Sequence, residues 1–319
     1  MSKDNTRILV IGAGVNGSIC AVGLFNAGFD VTVLARGKRY EELRDQGIII
    51  EDPFKNTRSV TKVPVINLLA QDDVYEYILV IIRKNQVPDL LPVLAGNKSP
   101  NIVFMVNNPS GPQILTDALG RERVMLGFVF GAGRREGGVI HGFSPTANPR
   151  NATPFGELDG SLTPRLTRLV DIFNRAGLSA RTSTEMTDYL ARHAAFVAPL
   201  AHMLILHHCD NRSMARATAD LALLVDALRE TLDVLDAVGV KVADDRMTGI
   251  IRRTPKFILV LAMRILLPTR YMEVGGAWHC MQAPDEMHQL GVELMVLVEK
   301  SGLPAPALHK LFAMNPSEG

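Results

Sequence analysis

Apolar residues in the first third of the chain fall in short unbroken runs, with stretches of helical spacing between them. Arg7–Ile11 (RILVI), Asp30–Leu34 (DVTVL), Tyr77–Ile82, Ile102–Val106 and Val124–Phe130 read as strands. They lack polar alternation, so both faces are expected to be buried, the pattern of a parallel sheet covered by helices. Ser18–Ala27 has helical spacing, and Gly28 stands where a glycine ends a helix. Residues 138–160, rich in Gly, Pro, Asn and Thr, read as hairpin and loop. Helical spacing returns over Pro164–Ala176 and closes at Gly177. Beyond Thr184 it dominates, as in Asp220–Val238 and Glu286–Lys300. The expected architecture is α/β, with a parallel-sheet domain over residues 1–183 and an all-helical domain over 184–319. The longest apolar stretch, Phe257–Leu267, is interrupted by Arg264 and falls short of the ~20 residues of a membrane span. It reads as a core helix or a dimer seam, and a homodimer is one expected assembly.

Composition narrows the class. At ~150 residues per domain, 319 residues imply two domains. With 47% apolar and 21% charged residues the chain has the material for a core, which excludes a disordered chain. A net charge of +1 provides no global attraction for nucleic acid or an anionic membrane. Up to Ser183 the balance is +4, and after it −3. A mildly basic first domain suits an anionic small molecule better than a polynucleotide. Cys20, Cys209 and Cys280 are far apart in sequence and form no CxxC pair, so neither a disulfide framework nor a zinc site is expected. No segment reads as a targeting signal, and a cytoplasmic protein is the expectation.

The sharpest motif is Gly12-Ala13-Gly14-Val15-Asn16-Gly17, a G-x-G-x-x-G turn. It follows a strand, opens a helix and lies within a βαβ span of about 30 residues, which gives a common pattern its weight. Gly12 permits the tight turn, Gly14 lets a pyrophosphate approach the backbone, and Gly17 brings the helix close to the sheet. The helix N-terminus presents its amides to the phosphates. The first domain therefore reads as Rossmann-type, the alternative being a plain glycine-rich turn. Where NAD sites usually carry a carboxylate, the second strand ends in Arg36, followed by Lys38 and Arg39. A guanidinium there can pair with a 2′-phosphate, so NADP(H) is the expected cofactor; otherwise these are solvated charges.

On these residues the chain resembles the ketopantoate reductase (2-dehydropantoate 2-reductase) family. Leu79–Gln86 is similar to the family strand that ends in a basic residue, with Arg83 in place of Lys. Met105-Val106-Asn107-Asn108 keeps the family Asn at Asn107 and loses the Gly after it. Residues 131–141 are similar to the family's loop and hairpin, where Gly133 takes a cofactor-contacting position. Glu286, sixteen residues before Gly302 and followed by Pro304, matches the spacing of the family's functional Glu. The resemblance implies that Asn107 and Glu286 hold the nicotinamide ribose or the substrate. A helix-start carboxylate beside Asp285 is the plainer reading of Glu286.

The resemblance breaks at the proton donor. The family uses a Lys on the first helix of its second domain, with Asn residues one and two turns later. Aligned through Tyr189, those positions are Ala191, Ala195 and Pro199. The Ser-rich segment before the functional Glu is replaced by Val274–His279. His193 becomes a candidate proton donor, since imidazole titrates near pH ~6.5. His279 and Arg192 are candidates for the substrate side, with Asn211 at the place of a later family Asn. Each also reads as an ordinary packing or capping residue. His207 and His208 are adjacent and point about 100° apart on a helix, so no metal is expected. The sequence reading is an NADP(H)-dependent oxidoreductase acting on a 2-keto acid or related carbonyl. The alternative is a non-catalytic NADP(H)-binding redox sensor or interaction protein.

Overall fold

The computed structural model describes residues 6–144, 151–242 and 246–314. Its contacts divide the chain into two compact units. The first comprises Met1–Val106 and Pro112–Thr187, the second Asn107–Gly111 and Asp188–Gly319.

The first unit contains two sheets. Its strands are β1 (Arg7–Ile11), β2 (Asp30–Leu34), β3 (Ile48–Asp52), β4 (Thr57–Thr61), β5 (Val65–Ile66), β6 (Tyr77–Val80), β7 (Ile102–Phe104), β8 (Val124–Gly127), β9 (Ala132–Glu136), β10 (Val139–Phe143), β11 (Thr153–Gly156) and β12 (Ala180–Thr182). Its helices are α1 (Val15–Asn26), α2 (Gly37–Gln46), α3 (Val87–Gly96), α4 (Gln113–Leu119) and α5 (Pro164–Arg175). The large sheet runs β12-β11-β8-β7-β6-β1-β2-β5. From β5 to β8 every pairing is parallel, and β11 joins β8 antiparallel. All residues of β6, β7 and β8 are buried, as strands without polar alternation require. The second sheet, β4-β3-β10-β9, has no counterpart in the sequence reading beyond a hairpin near residue 138. Its β3 and β10 pair in parallel although ninety residues separate them. Helix α1 packs against β1 and β2 and also against β3, β9 and β10. It begins at Val15, earlier than its apolar spacing shows, because Gly14 supplies the N-cap. The first unit continues past Ser183 because a Cβ on Gly156 or Gly160 would collide with the backbone of Ser183 or Thr184, so these segments are in contact.

The second unit is helical where described. It contains α6 (Met186–Leu206), α7 (Asn211–Arg216), α8 (Thr218–Ala237), α9 (Arg246–Arg253), α10 (Lys256–Leu266), α11 (Arg270–Met272), a π-helical turn Glu273–Ala277, α12 (Trp278–Gln282), α13 (Pro284–Ser301) and α14 (Pro306–Ala313). Leu221, Leu224, Leu228 and Leu232 of α8 pack with Ala194, Ala198, Leu290, Leu294, Leu308 and Leu311 in one core. Among the described residues, α6 alone is long and apolar enough to cross a membrane, and half of its apolar window is buried within the fold.

Candidate functional site

The glycine turn carries the geometry that its sequence predicts. Gly12 has φ +111°, and a Cβ there would lie 2.1 Å from the Ile81 carbonyl oxygen. A Cβ on Gly17 would lie 1.8 Å from the Gly12 carbonyl oxygen. Both positions are closed to any larger residue. Gly14 is different, because a Cβ there would meet nothing within 4 Å. That leaves room beside the backbone at the start of α1. The helix has no side-chain cap and no acidic residue in its first turn, so the positive end of its dipole is unneutralised. Asn16 Oδ1 is buried without a hydrogen-bond partner. A Cβ on Gly131 would lie 2.1 Å from it. An open cradle at a helix N-terminus with an unsatisfied acceptor beside it fits a dinucleotide, whose phosphates take the amides and whose hydroxyl or amide groups donate to Asn16. Ala13 and Val15 supply backbone to the same turn.

Three basic residues follow β2, and they do different things. Arg36 is exposed, at the N-cap of α2, and Lys38 is exposed beside it. Arg39 turns inward. Its guanidinium donates to the Ala13 carbonyl (3.0 Å), the Gly138 carbonyl (2.8 Å) and Ser18 Oγ (3.4 Å), and pairs with Glu42 (3.1 Å). Sequence reading counted Arg39 only as a charge near the ribose site. Its clamp on the glycine turn depends on Gly138, 99 residues away. Arg83 is half-buried at the end of β6, heading a short 3-10 turn. Gly133 faces Gly142 across the β9–β10 ladder, where a Cβ would meet the His141 carbonyl oxygen at 2.2 Å. Strand packing thus requires that glycine by itself.

The second unit brings four of the expected residues together. Glu286 lies in the first turn of α13 and is only 4% exposed. Asn107 Nδ2 donates to Glu286 Oε1 at 3.1 Å, while Asn107 Oδ1 is buried with no partner. His279 Nε2 lies 3.9 Å from Glu286 Oε2. The His193 ring stacks on Tyr189, with centroids 6.3 Å apart and planes at 12°. Burial pushes the His193 imidazole down to about 4, and the nearby His279 lowers it further in the same direction. His193 is therefore neutral at pH 7. The segment that carries Asn107 has a second anchor, which the sequence did not reveal. Ser110 Oγ donates to Glu293, whose other oxygen accepts from Gln289 Nε2 (3.0 Å).

Arg192 and Asn211 are not part of this cluster. Arg192 donates to the Lys241 carbonyl after α8. Asn211 is buried and donates to the carbonyls of Leu267 (2.6 Å) and Thr269 (3.4 Å), closing the end of α10. It also lines a separate cleft of about 310 Å³ with Cys209, Arg212, Glu273, Trp278 and Met281. Ala191, Ala195 and Pro199, at the expected lysine and asparagine positions, are all buried. Among the described residues no three His, Cys, Asp or Glu side chains gather to hold a metal. His207 pairs instead with Asp220 at 3.0 Å.

Residues 8–150 match the family model described as ketopantoate reductase PanE/ApbA. No curated protein sequence matches the chain. Solved structures do match over nearly its full length. D-mandelate dehydrogenase, in a ternary structure with NADH and anilino(oxo)acetate, superposes with a TM-score of 0.77 at 13% identity, covering 97% of this chain and 96% of its own. A PanE/ApbA family ketopantoate reductase from Ralstonia eutropha JMP134 gives 0.77 at 18%, covering 97% of each chain. The 2-dehydropantoate 2-reductase of Methylococcus capsulatus gives 0.74 at 18%, covering 97% and 95%. Residues 8–150 thus match the ketopantoate reductase PanE/ApbA model, and the chain as a whole has the fold of the ketopantoate reductase structures it superposes on.

Proposed function

We propose that this chain is an NADP(H)-dependent reductase of a 2-keto acid or a related carbonyl, with a substrate other than ketopantoate. The observation that carries this reading is the buried Glu286 carboxylate, held by Asn107 on one oxygen and approached by His279 on the other. A hydrogen-bonded carboxylate beside an imidazole is an arrangement that stores and delivers a proton. The match of residues 8–150 to the ketopantoate reductase model and the likeness to D-mandelate dehydrogenase favour oxidoreductase chemistry on a keto acid.

In this reading the turn Gly12–Gly17 binds the pyrophosphate and Asn16 accepts from the ligand. Arg36 pairs with the 2′-phosphate, and Arg83 and Gly133 complete the cofactor contacts. The bound nicotinamide supplies the two electrons and one hydrogen that reduce the carbonyl carbon. The protein must then supply one proton to the oxygen. His193, held neutral, is a poor acid at pH 7, so that proton is assigned to His279. Glu286 stabilises the imidazolium before transfer, and Asn107 fixes the Glu286 carboxylate and presents Oδ1 as an acceptor to a donor on the ligand. Arg192 and Asn211 have structural partners and take no part.

The test is a titration with NADPH and NADH, followed by NADPH oxidation against ketopantoate, phenylglyoxylate and a panel of other 2-keto acids. NADPH is expected to bind more tightly than NADH. At least one 2-keto acid should turn over, with kcat falling on the order of 100-fold in His279→Gln and dinucleotide binding retained. Binding without turnover across the panel would instead make the chain an NADP(H) sensor. Failure to bind either dinucleotide would overturn both readings.

A further inference from the structure

Helix α6 ends in two successive left-handed residues, neither of them glycine: His208 has φ 53° and Cys209 has φ 57°. Such backbone strains a residue with a Cβ, whereas glycine adopts it freely. Farther along the chain the π-helical turn Glu273–Ala277 joins α11 to α12. Turns of this kind are frequent at functional sites. Both irregular segments line one cleft of about 310 Å³, at the small end of ligand-sized cavities. Cys209, Asp210 and Arg212 come to it from the first segment, and Glu273, Trp278 and Met281 from the second.

The charged groups of this cleft are only partly engaged. Asp210 Oδ1 accepts from the amides of Arg212 (2.9 Å) and Ser213 (3.1 Å), which closes the start of α7 and leaves Oδ2 open. Those two amides, Ser213 first, lower the Asp210 carboxyl below its ordinary value, so it is a full anion at neutral pH. Glu273 Oε1 accepts from Arg270 at 2.7 Å, and its Oε2 is open. The Arg212 guanidinium is exposed and has no hydrogen-bond or ion-pair partner among the described residues. Trp278 is buried beneath the Arg270 guanidinium, 4.7 Å above its ring centre, and Met281 is 51% exposed.

We propose that this cleft binds a free apolar α-amino acid, at a site apart from Glu286, Asn107 and His193, none of which lines it. The charges select that class. A simple anion would meet two carboxylates, and a simple cation would meet an unpaired guanidinium. An α-amino acid carries both charges on neighbouring atoms of one small molecule. Its carboxylate pairs with Arg212, in the fork geometry that guanidinium favours. Its ammonium donates to Asp210 Oδ2 and Glu273 Oε2, and its side chain lies against Trp278 and Met281. The recognition belongs to side chains rather than to the end of α7, whose first amides Asp210 has already taken. The inference uses this cleft alone and stands whether or not the chain is a reductase.

Trp278 is the single tryptophan of the chain, so its emission reports on the cleft directly. The experiment titrates the full chain with L-leucine and L-methionine and follows both that emission and Tm. Each ligand is expected to shift the emission saturably in the millimolar range and to raise Tm. Leucinamide lacks the carboxylate and 4-methyl-2-oxopentanoate lacks the ammonium, so each should bind on the order of 10-fold more weakly or worse. Arg212→Gln changes an exposed side chain and should fold normally while losing leucine affinity by at least ~10-fold. Asn107→Ala should leave leucine affinity unchanged. Silence of both emission and Tm up to the solubility limit of leucine would overturn the proposal. So would equal binding of leucinamide or the keto acid, or unaltered affinity in Arg212→Gln. Leucine binding lost in Asn107→Ala would place the ligand at Glu286 and overturn it as well.

Discussion

Arg39 donates through Nε to the carbonyl of Ala13 at 3.0 Å, inside the glycine turn, and through Nη1 to the carbonyl of Gly138 at 2.8 Å. The glycine turn is thereby tied to the tip of the β9–β10 hairpin by a single buried guanidinium. Arg36, three residues earlier, is exposed. The two arginines should therefore separate cleanly. Arg39→Met leaves the Gly138 carbonyl without this donor and the Ala13 carbonyl with only Ser18 Oγ, so a stability loss of about 1–3 kcal/mol and equal weakening of NADPH and NADH are expected. Arg36→Glu should leave stability unchanged and weaken NADPH alone, by on the order of 100-fold at low salt, because it sets a carboxylate against the 2′-phosphate. Melting curves and paired dinucleotide titrations distinguish these outcomes; an Arg36→Glu variant that keeps its NADPH preference would refute the assignment of Arg36.

Gly14 and Gly17 make a second pair with opposite expectations. Ala at residue 17 would place its methyl 1.8 Å from the Gly12 carbonyl oxygen, and the helix would have to move. Gly17→Ala should therefore lower stability by ~3 kcal/mol or more and abolish dinucleotide binding with it. Ala at residue 14 meets nothing and needs no unusual backbone, since φ is −76°. Gly14→Ala should fold within ~1 kcal/mol of the wild type. Its methyl would nevertheless occupy the room left for the pyrophosphate, so affinity should fall at least ~10-fold. Unchanged affinity in Gly14→Ala, measured by fluorescence titration, would remove the phosphates from this turn.

Glu286 and Glu293 are seven residues apart on α13, which is ~10.5 Å along the helix. Asn107 and Ser110 are three residues apart, which an extended chain spans in ~10 Å. The two carboxylates therefore hold both ends of one short segment, Asn107 on Glu286 and Ser110 on Glu293. Under the proposed function, Ser110 is predicted to act through Asn107 as a positioning residue. Ser110→Ala is expected to reduce kcat on the order of 10-fold with little change in KM, and Ser110→Thr to restore it. Combined with Asn107→Ala, the serine change should add almost nothing. Full additivity in that double variant would show that Ser110 serves stability alone.

His193 links the fold to pH. In the unfolded chain its imidazole takes up a proton near 6.5, whereas in the folded chain it does so only at about 4. Between those values the unfolded state binds more protons, so stability is complete above about pH 6.5 and is lost progressively toward pH 4. Burial lowers His202 in the same direction and adds to the slope. His193→Asn should flatten the dependence of the urea midpoint on pH between 7.5 and 4.5. A slope equal to that of the wild type would mean that His193 is not held neutral.

The β1–α1–β2 unit was legible because its chemistry is local. A strand, a glycine turn and a helix within ~30 residues carry their own steric requirements, and the collisions at Gly12 and Gly17 are the ones the motif implies. The fully buried strands β6, β7 and β8 declared themselves in the same way, by unbroken apolar runs. Long-range pairing left no such trace. The sheet that joins β3 to β10 has no periodicity linking its members, and strands of mixed exposure such as β4 look like loop. The residues Asn107 and Glu286 could each be picked out by resemblance, but 179 positions separate them, and only folding places an amide on that carboxylate. The same holds for Ser110 with Glu293, 183 positions apart, and for the inward turn of Arg39 beside an outward Arg36. The apolar run of α10 could be read equally as core or seam. Composition alone does not say which side of a uniformly apolar helix meets the interior, and packing against α8 decided it. The sequence by itself determined the glycine turn, the parallel sheet and the helical second half, because backbone sterics and hydrophobic periodicity act over a few residues. Tertiary structure decided which polar groups meet, because hydrogen bonds between distant segments depend on where the chain returns rather than on what lies beside it.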